Sequence, residues 1–161
     1  MISLESIPAP ELLRPHAATT DELRRRGVVR SSNNPVGDLA EYLFCRAFGW
    51  KMAPKSAKAA DAICADGKLY QVKGRRVTEH NQSRQLGAMR ALDAGGFDYL
   101  AAVLFAEDYS VVHAAIIPHS AVLAGATFVK HTNSWRFILR DAVWDWPETQ
   151  DVTAALQTVA Y

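Results

Sequence analysis

Apolar positions along this chain follow a helical period in one stretch and strand-like periods in the next. From residue 35 to 48, Val36, Leu39, Ala40, Leu43, Phe44, Ala47 and Phe48 recur at helical spacing and form one face. That pattern predicts a helix laid on a core, with Pro35 in its first turn and Ser31–Asn34 as the loop before it. Two short runs follow, Ala62-Ile63-Cys64-Ala65 and Leu69-Tyr70-Gln71-Val72-Lys73, on either side of Asp66-Gly67. Aspartate and glycine both tolerate the positive φ of a tight turn, so the runs predict a hairpin. Residues 97–105 are almost continuously apolar, the pattern of a strand buried on both faces. Asp108-Tyr109 turns that strand into a partner running from Val111 to Ile117, before Pro118.

Weaker signals fill the remainder. Thr19-Thr20-Asp21-Glu22 opens a short helix that ends near Arg26-Gly27, while residues 1–15, with three prolines, are expected to wrap the surface. A further helix is expected over 82–93, stopping at Gly95-Gly96, then a short one over 120–124, a strand over 135–139, and a last helix capped by Asp151-Val152-Thr153. The order α-β-β-α-β-β predicts an α/β fold with a mixed central sheet flanked by helices.

A length of 161 residues suits a single domain, and 49% apolar with 22% charged residues is ordinary for a folded chain. No run of 18 or more apolar residues suggests a membrane span, and no basic start leads into an apolar stretch as in a signal peptide. Cys45 and Cys64 lack metal-ligand spacing and read as two reduced buried thiols of a cytoplasmic protein.

The chemistry concentrates on the hairpin. Side chains alternate along a strand, so Gln71 and Lys73 share one face while Val72 points into the core. The turn brings Asp61 back beside that pair. A carboxylate, an amide oxygen and an amine then converge, and hard divalent cations favour such oxygen ligands. On the preceding helix Glu41 lies about 110° from the centre of the apolar face, at its border, by the helical step. Asp38 lies almost opposite that face and is expected to be solvated at the helix N-terminus.

At these residues the chain resembles the PD-(D/E)XK nuclease superfamily. In that family an Asp begins one strand of a hairpin, a Glu/Asp-x-Lys tripeptide sits on the next, and a glutamate from the preceding helix often completes the metal site. Asp61, Gln71 and Lys73 occupy the three motif positions, with glutamine where the family has an acid, and Asn34–Glu41 resembles the glutamate-bearing helix. The resemblance covers roughly residues 35–120 of the single domain 1–161. It implies a restriction endonuclease-like core of αβββαβ type with helical and strand additions at its ends. It also implies a metal-dependent DNA endonuclease of restriction, defence or repair type. Mg2+ or Mn2+ would be held by Asp61, Glu41, the Val72 carbonyl and Gln71, with Lys73 positioning the attacking water or stabilising charge.

Charge is distributed to suit a polyanion. Residues 51–90 hold nine Lys and Arg against three acids, and residues 91–161 hold three against eight, although the whole chain carries only +1. Lys55, Lys58, Arg75, Arg76 and Arg84 bracket the hairpin and are the candidate DNA contacts. His80, His113, His119 and His131 have no paired spacing and carry no expected chemistry. Trp135, Trp144 and Trp146 read as packed rather than base-stacking residues. Without a separate recognition domain, sequence specificity would come from loops or from a homodimer. Gln71 leaves a second reading open, a nucleic-acid-binding module that has lost its chemistry, and a third is a protein-interaction domain.

Overall fold

A computed structural model describes residues 4–54 and 56–160. The protein is mixed α/β. Its central sheet contains β1 (Lys51–Met52), β2 (Ala62–Ile63), β3 (Leu69–Arg76), β4 (Tyr99–Phe105), β5 (Val111–Pro118) and β6 (Gln150–Asp151), in that spatial order. All neighbours run antiparallel except β3 and β4, which are parallel from Tyr70↔Tyr99 to Arg76↔Phe105.

β4 is the spine of the molecule. Ala101, Val103 and Phe105 enter a first core, and Leu100, Ala102 and Leu104 a second. The first core lies under α2 (Val36–Phe48), where Leu39, Ala40, Leu43 and Phe44 are buried, together with Leu156 of the short α4 (Thr153–Gln157). Asp151 Oδ1 accepts the Thr153 N–H and hydroxyl at 3.0 and 2.6 Å, which fixes the start of α4 as the sequence suggests. The second core collects Leu86, Met89, Leu92, Phe97, Phe137, Leu139, Val143 and Val122, the last from α3 (His119–Gly125). A two-stranded ribbon of Thr127–Val129 and Ser134–Arg136 adjoins it.

Three sequence expectations are corrected. The segment 82–93 is not an α-helix; only Leu92–Ala94 make a 3-10 turn. Arg84–Met89 instead runs extended beside Trp135–Leu139, with Met89 and Trp135 exchanging N–H···O bonds of 3.1 and 2.8 Å. Leu86, Met89 and Leu92 do bury, so the three-residue spacing is real, but long-range pairing decides the backbone. At the other end, α1 begins much earlier than Thr19 and spans Ala9–Arg25. Pro8 and Pro10 sit at its start, where a missing N–H costs nothing, and Pro15 is tolerated on a helix that buries no residue. Asp38, finally, is not solvated. Its Oδ2 accepts the Arg30 and Ser31 N–H groups, both at 2.9 Å, and the Ser31 hydroxyl at 3.0 Å. Burial works against its charge, but these bonds and the Arg30 guanidinium outweigh it and hold the carboxyl below the usual range. Asp38 therefore fastens the loop before α2 onto the helix.

No helix among the described residues is long and apolar enough to cross a membrane.

Candidate active site

The hairpin forms with Gly67 at φ +79° in its turn, and Cys64 and Lys68 close it through an N–H···O bond of 3.1 Å. Its short strand ends where Asp61 begins: the Asp61 N–H donates to Tyr70 O at 2.8 Å. β3 continues six residues past Tyr70, so on that side β2 covers only its first two residues. Asp61 sits at this step. Its Oδ2 accepts the Val72 N–H at 2.7 Å and lies 3.3 Å from the Gln71 side-chain nitrogen. The side chain thus replaces a missing strand partner. Within an extended residue N–H and C=O point the same way, so the Val72 carbonyl also faces the uncovered side, next to Asp61.

Gln71 and Lys73 share the face opposite Val72, as the alternation predicts; Val72 itself is buried against α2. The Lys73 stem runs past the bare backbone of Gly87, with its Cδ 4.0 Å from where a Cβ would stand there. Lys73 is half-buried and forms no ion pair among the described residues. A lysine so placed keeps its charge available to a ligand.

Glu41 reaches the same region because α2 lies unusually close to β3. A Cβ on Gly74 would stand 3.0 Å from Val36 Cγ1, 3.0 Å from Val36 O and 3.1 Å from Ala40 Cβ. Glycine in mid-strand marks such a backbone approach. Ala40 lies one turn on from Val36, and Glu41, the next residue, is half-buried. Burial pushes its carboxyl up to about 7, the Asp61 charge adds to this, Arg30 opposes it, Asp38 raises it further and Lys73 opposes it. Glu41 therefore shares one electrostatic field with Asp61 and Lys73. Its nearest partner is Arg30, which ion-pairs with Glu41 and stands 3.5 Å from Asp38 Oδ1.

The donor set is sparse. Among the described residues no three His, Cys, Asp or Glu side chains stand together as a metal cluster. Two carboxylates, a backbone carbonyl and an amide suit a cation of magnesium type, which keeps several of its own waters, better than a zinc site.

The basic candidates divide. Lys55 lies outside the described residues, and Lys58 is exposed between β1 and β2. Arg75 and Arg76, consecutive on β3, point to opposite faces. Arg76 donates to Glu107 O at 2.8 Å and to the Tyr109 hydroxyl at 3.3 Å, with its guanidinium 4.5 Å above the Tyr109 ring, and so braces the β4–β5 turn. Arg84 ion-pairs with Asp141, which offsets its charge. Arg75 donates only to neutral acceptors, Ser83 O at 2.9 Å and Asn81 Oδ1 at 3.0 Å.

Sequence reading missed Arg30, which no spacing rule connects to Glu41. Gly74, a glycine in mid-strand, is the sequence signal of the close approach of α2. Two histidines are packed: His119 Nε2 meets Leu92 O at 2.7 Å with its ring edge-on to Phe97, and His113 lies against Trp144. Cys45 and Cys64 are free, though half-buried rather than buried.

Comparison with protein-family models and with curated proteins gives no match.

Proposed function

We propose that this protein is a divalent-metal-dependent phosphodiesterase acting on DNA, an endonuclease of PD-(D/E)XK type with glutamine at the acidic motif position. The observation that carries the reading is the meeting of Asp61 with Gln71 and the Val72 N–H at the uncovered side of β3, with the charges of Asp61 and Lys73 both felt at Glu41. Asp61, Glu41, the Val72 carbonyl and Gln71 would hold Mg2+ or Mn2+. When bound, the ion would supply Lewis acidity and a lowered pKa for a coordinated water.

The chain's own residues provide the rest. Lys73 places an unpaired cation where the phosphorane gains negative charge. Asp61 is oriented before any ligand arrives, since Val72 N–H holds one of its oxygens. Hydrolysis proceeds by water attack on phosphorus with loss of an alkoxide, so a positive group and a proton relay are both useful, and Glu41 with a carboxyl near neutrality can exchange a proton at working pH.

A second reading has its own observation. Gln71 presents its nitrogen to Asp61, and Arg30 pairs with Glu41, so both carboxylates have partners without metal. On that reading the fold binds nucleic acid and does no chemistry. Incubation with plasmid, linear and branched DNA, with Mg2+, with Mn2+ and with chelator, separates the two. Cleavage confined to the metal samples supports the nuclease; DNA binding without cleavage under every condition supports the binding module.

A further inference from the structure

From Gly74, the residue after Lys73, β3 borders a cleft of about 290 Å³ whose walls are Asn34, Val36, Gly74, Arg75, Arg76, Thr78 and Asn81. None of these residues is acidic. Both arginines are held by neutral acceptors and neither forms an ion pair among the described residues, so two positive charges border the cleft without compensation. The nearest acid in sequence, Glu79, is exposed in the 78–81 loop and pairs with neither.

The loop that makes this cleft is folded around Arg75. Thr78 and Asn81 exchange backbone N–H···O bonds of 3.1 and 3.0 Å, and the Asn81 N–H also reaches Thr78 Oγ1 at 3.1 Å. Asn81 Oδ1 accepts from Arg75 Nη2 at 3.0 Å and from the Ser83 N–H at 3.2 Å. Its carbonyl end is thereby used, and its NH2 end is left to donate. Asn34 repeats the arrangement at the start of α2: Oδ1 accepts the Val36 N–H at 3.1 Å, leaving that NH2 free. Arg75 Nη1 and the Thr78 hydroxyl proton are further donors. The Gly74 N–H faces the side of β3 that no strand covers. The free amide and guanidinium groups here are donors, beside two arginines without ion pairs among the described residues and at the N-terminal end of a 13-residue helix, while the Gly74 carbonyl faces the uncovered side with its N–H.

We propose that this cleft is a metal-independent seat for one phosphate group of a nucleic-acid strand, bound by Arg75, Asn81 and Asn34 next to the reactive phosphate at Lys73. The inference rests on the nucleic-acid reading above and adds a defined subsite to it. Planar guanidinium and amide donors match phosphate oxygens, and Arg75 arrives pre-oriented by its two neutral contacts. One chemistry, a phosphate oxyanion, can come from an internal diester or from a chain-end monoester.

Asn34→Asp and Asn81→Asp test it, because each keeps the oxygen that the fold uses and replaces only the free NH2 by a carboxylate oxygen. Binding of a fluorescent oligonucleotide is read by anisotropy in chelator, where no cutting is needed, together with thermal unfolding. Each variant should unfold at the wild-type temperature or above and bind about tenfold more weakly, since a like charge now faces the phosphate. Arg75→Gln should weaken binding similarly. Wild-type affinity in both aspartate variants overturns the proposal. Oligonucleotides with and without a terminal phosphate separate the sources: loss of the variant effect with the unphosphorylated strand assigns the site to a chain end, and its persistence assigns it to an internal diester. If the variants bind weakly but no condition yields cleavage, the subsite stands and the nuclease reading falls.

Discussion

Asp61 Oδ2 accepts the backbone N–H of Val72 at 2.7 Å, so a charged side chain completes the strand pairing that β2 is too short to make. The same carboxylate would be a ligand of the proposed metal. Structure and function therefore compete for one group, and substitutions can separate them.

Asp61→Asn keeps an oxygen for the Val72 N–H and removes the charge. Metal-dependent cleavage should disappear while the unfolding midpoint in urea changes little. Asp61→Ala should lose cleavage and also about 1–2 kcal/mol of stability, the cost of an unsatisfied donor. Retained cleavage in Asp61→Asn, with a wild-type fold by circular dichroism, excludes this carboxylate from the reaction. Lys73→Met, which keeps most of the stem beside Gly87, should likewise abolish cutting and spare the fold.

Gln71→Glu puts a second carboxylate within reach of Asp61, where the amide nitrogen now stands 3.3 Å away. In chelator the two negative charges should lower the melting temperature. With Mg2+ or Mn2+ the midpoint should recover, and calorimetric titration should show tighter metal binding than in the wild type. Equal metal affinity in the two proteins would mean that residue 71 does not contact the ion.

Glu41 carries a pH dependence whose sign follows from its raised carboxyl. Between 4.5, its ordinary value, and about 7, the folded state holds a proton that the unfolded state has lost. Stability contributed by that proton is present at low pH and is lost as pH rises through this window, flattening above it. At about 1.4 kcal/mol per unit of pKa the full amplitude is about 3.5 kcal/mol, and solvent screening of a half-buried group lowers it to roughly 1–3 kcal/mol. Glu41→Gln should remove this slope from urea denaturation measured between pH 5 and 8, and should abolish metal-dependent cleavage. A slope unchanged in Glu41→Gln would assign the titration to another group.

Gly74→Ala tests how Glu41 is delivered. Its new Cβ would meet Val36 O and Val36 Cγ1 at 3.0 Å, and a backbone oxygen yields only if α2 moves. A loss of about 1–3 kcal/mol is expected from such crowding, with weaker metal binding because the helix carries Glu41 away. Full stability and activity in this variant would show that the approach of α2 is not required.

The parts of this fold that sequence reveals are those whose cause is local. Asp66-Gly67 specifies the turn, the apolar run from 99 to 105 specifies a doubly buried strand, and the period of Leu39, Leu43 and Phe44 specifies α2. Gln71 meets Asp61 across the hairpin, as the turn between the two strands requires. Residues 82–93 were illegible because Leu86, Met89 and Leu92 satisfy a helical stripe equally well, and the choice is made by Trp135 and Phe137, far along the chain. Pro15 hid α1 because proline is a poor guide on a helix that touches the core through the half-buried Leu23 and buries no residue fully. Asp38 and Arg30 were misread or missed for a common reason: a loop folds back on α2 and no periodicity encodes that return.

β4 gives alternate side chains to the cores on both sides of the sheet, and all six residues from Leu100 to Phe105 are buried. Neither layer can melt while the other persists, because each would lose the wall against which it packs. The body of the protein is thus one cooperative unit. α1 stands apart: it buries no residue, so its opening exposes little apolar surface and responds only weakly to denaturant. Amide exchange in its first turns should run ahead of global unfolding, while β4 amides should exchange only when the whole molecule opens.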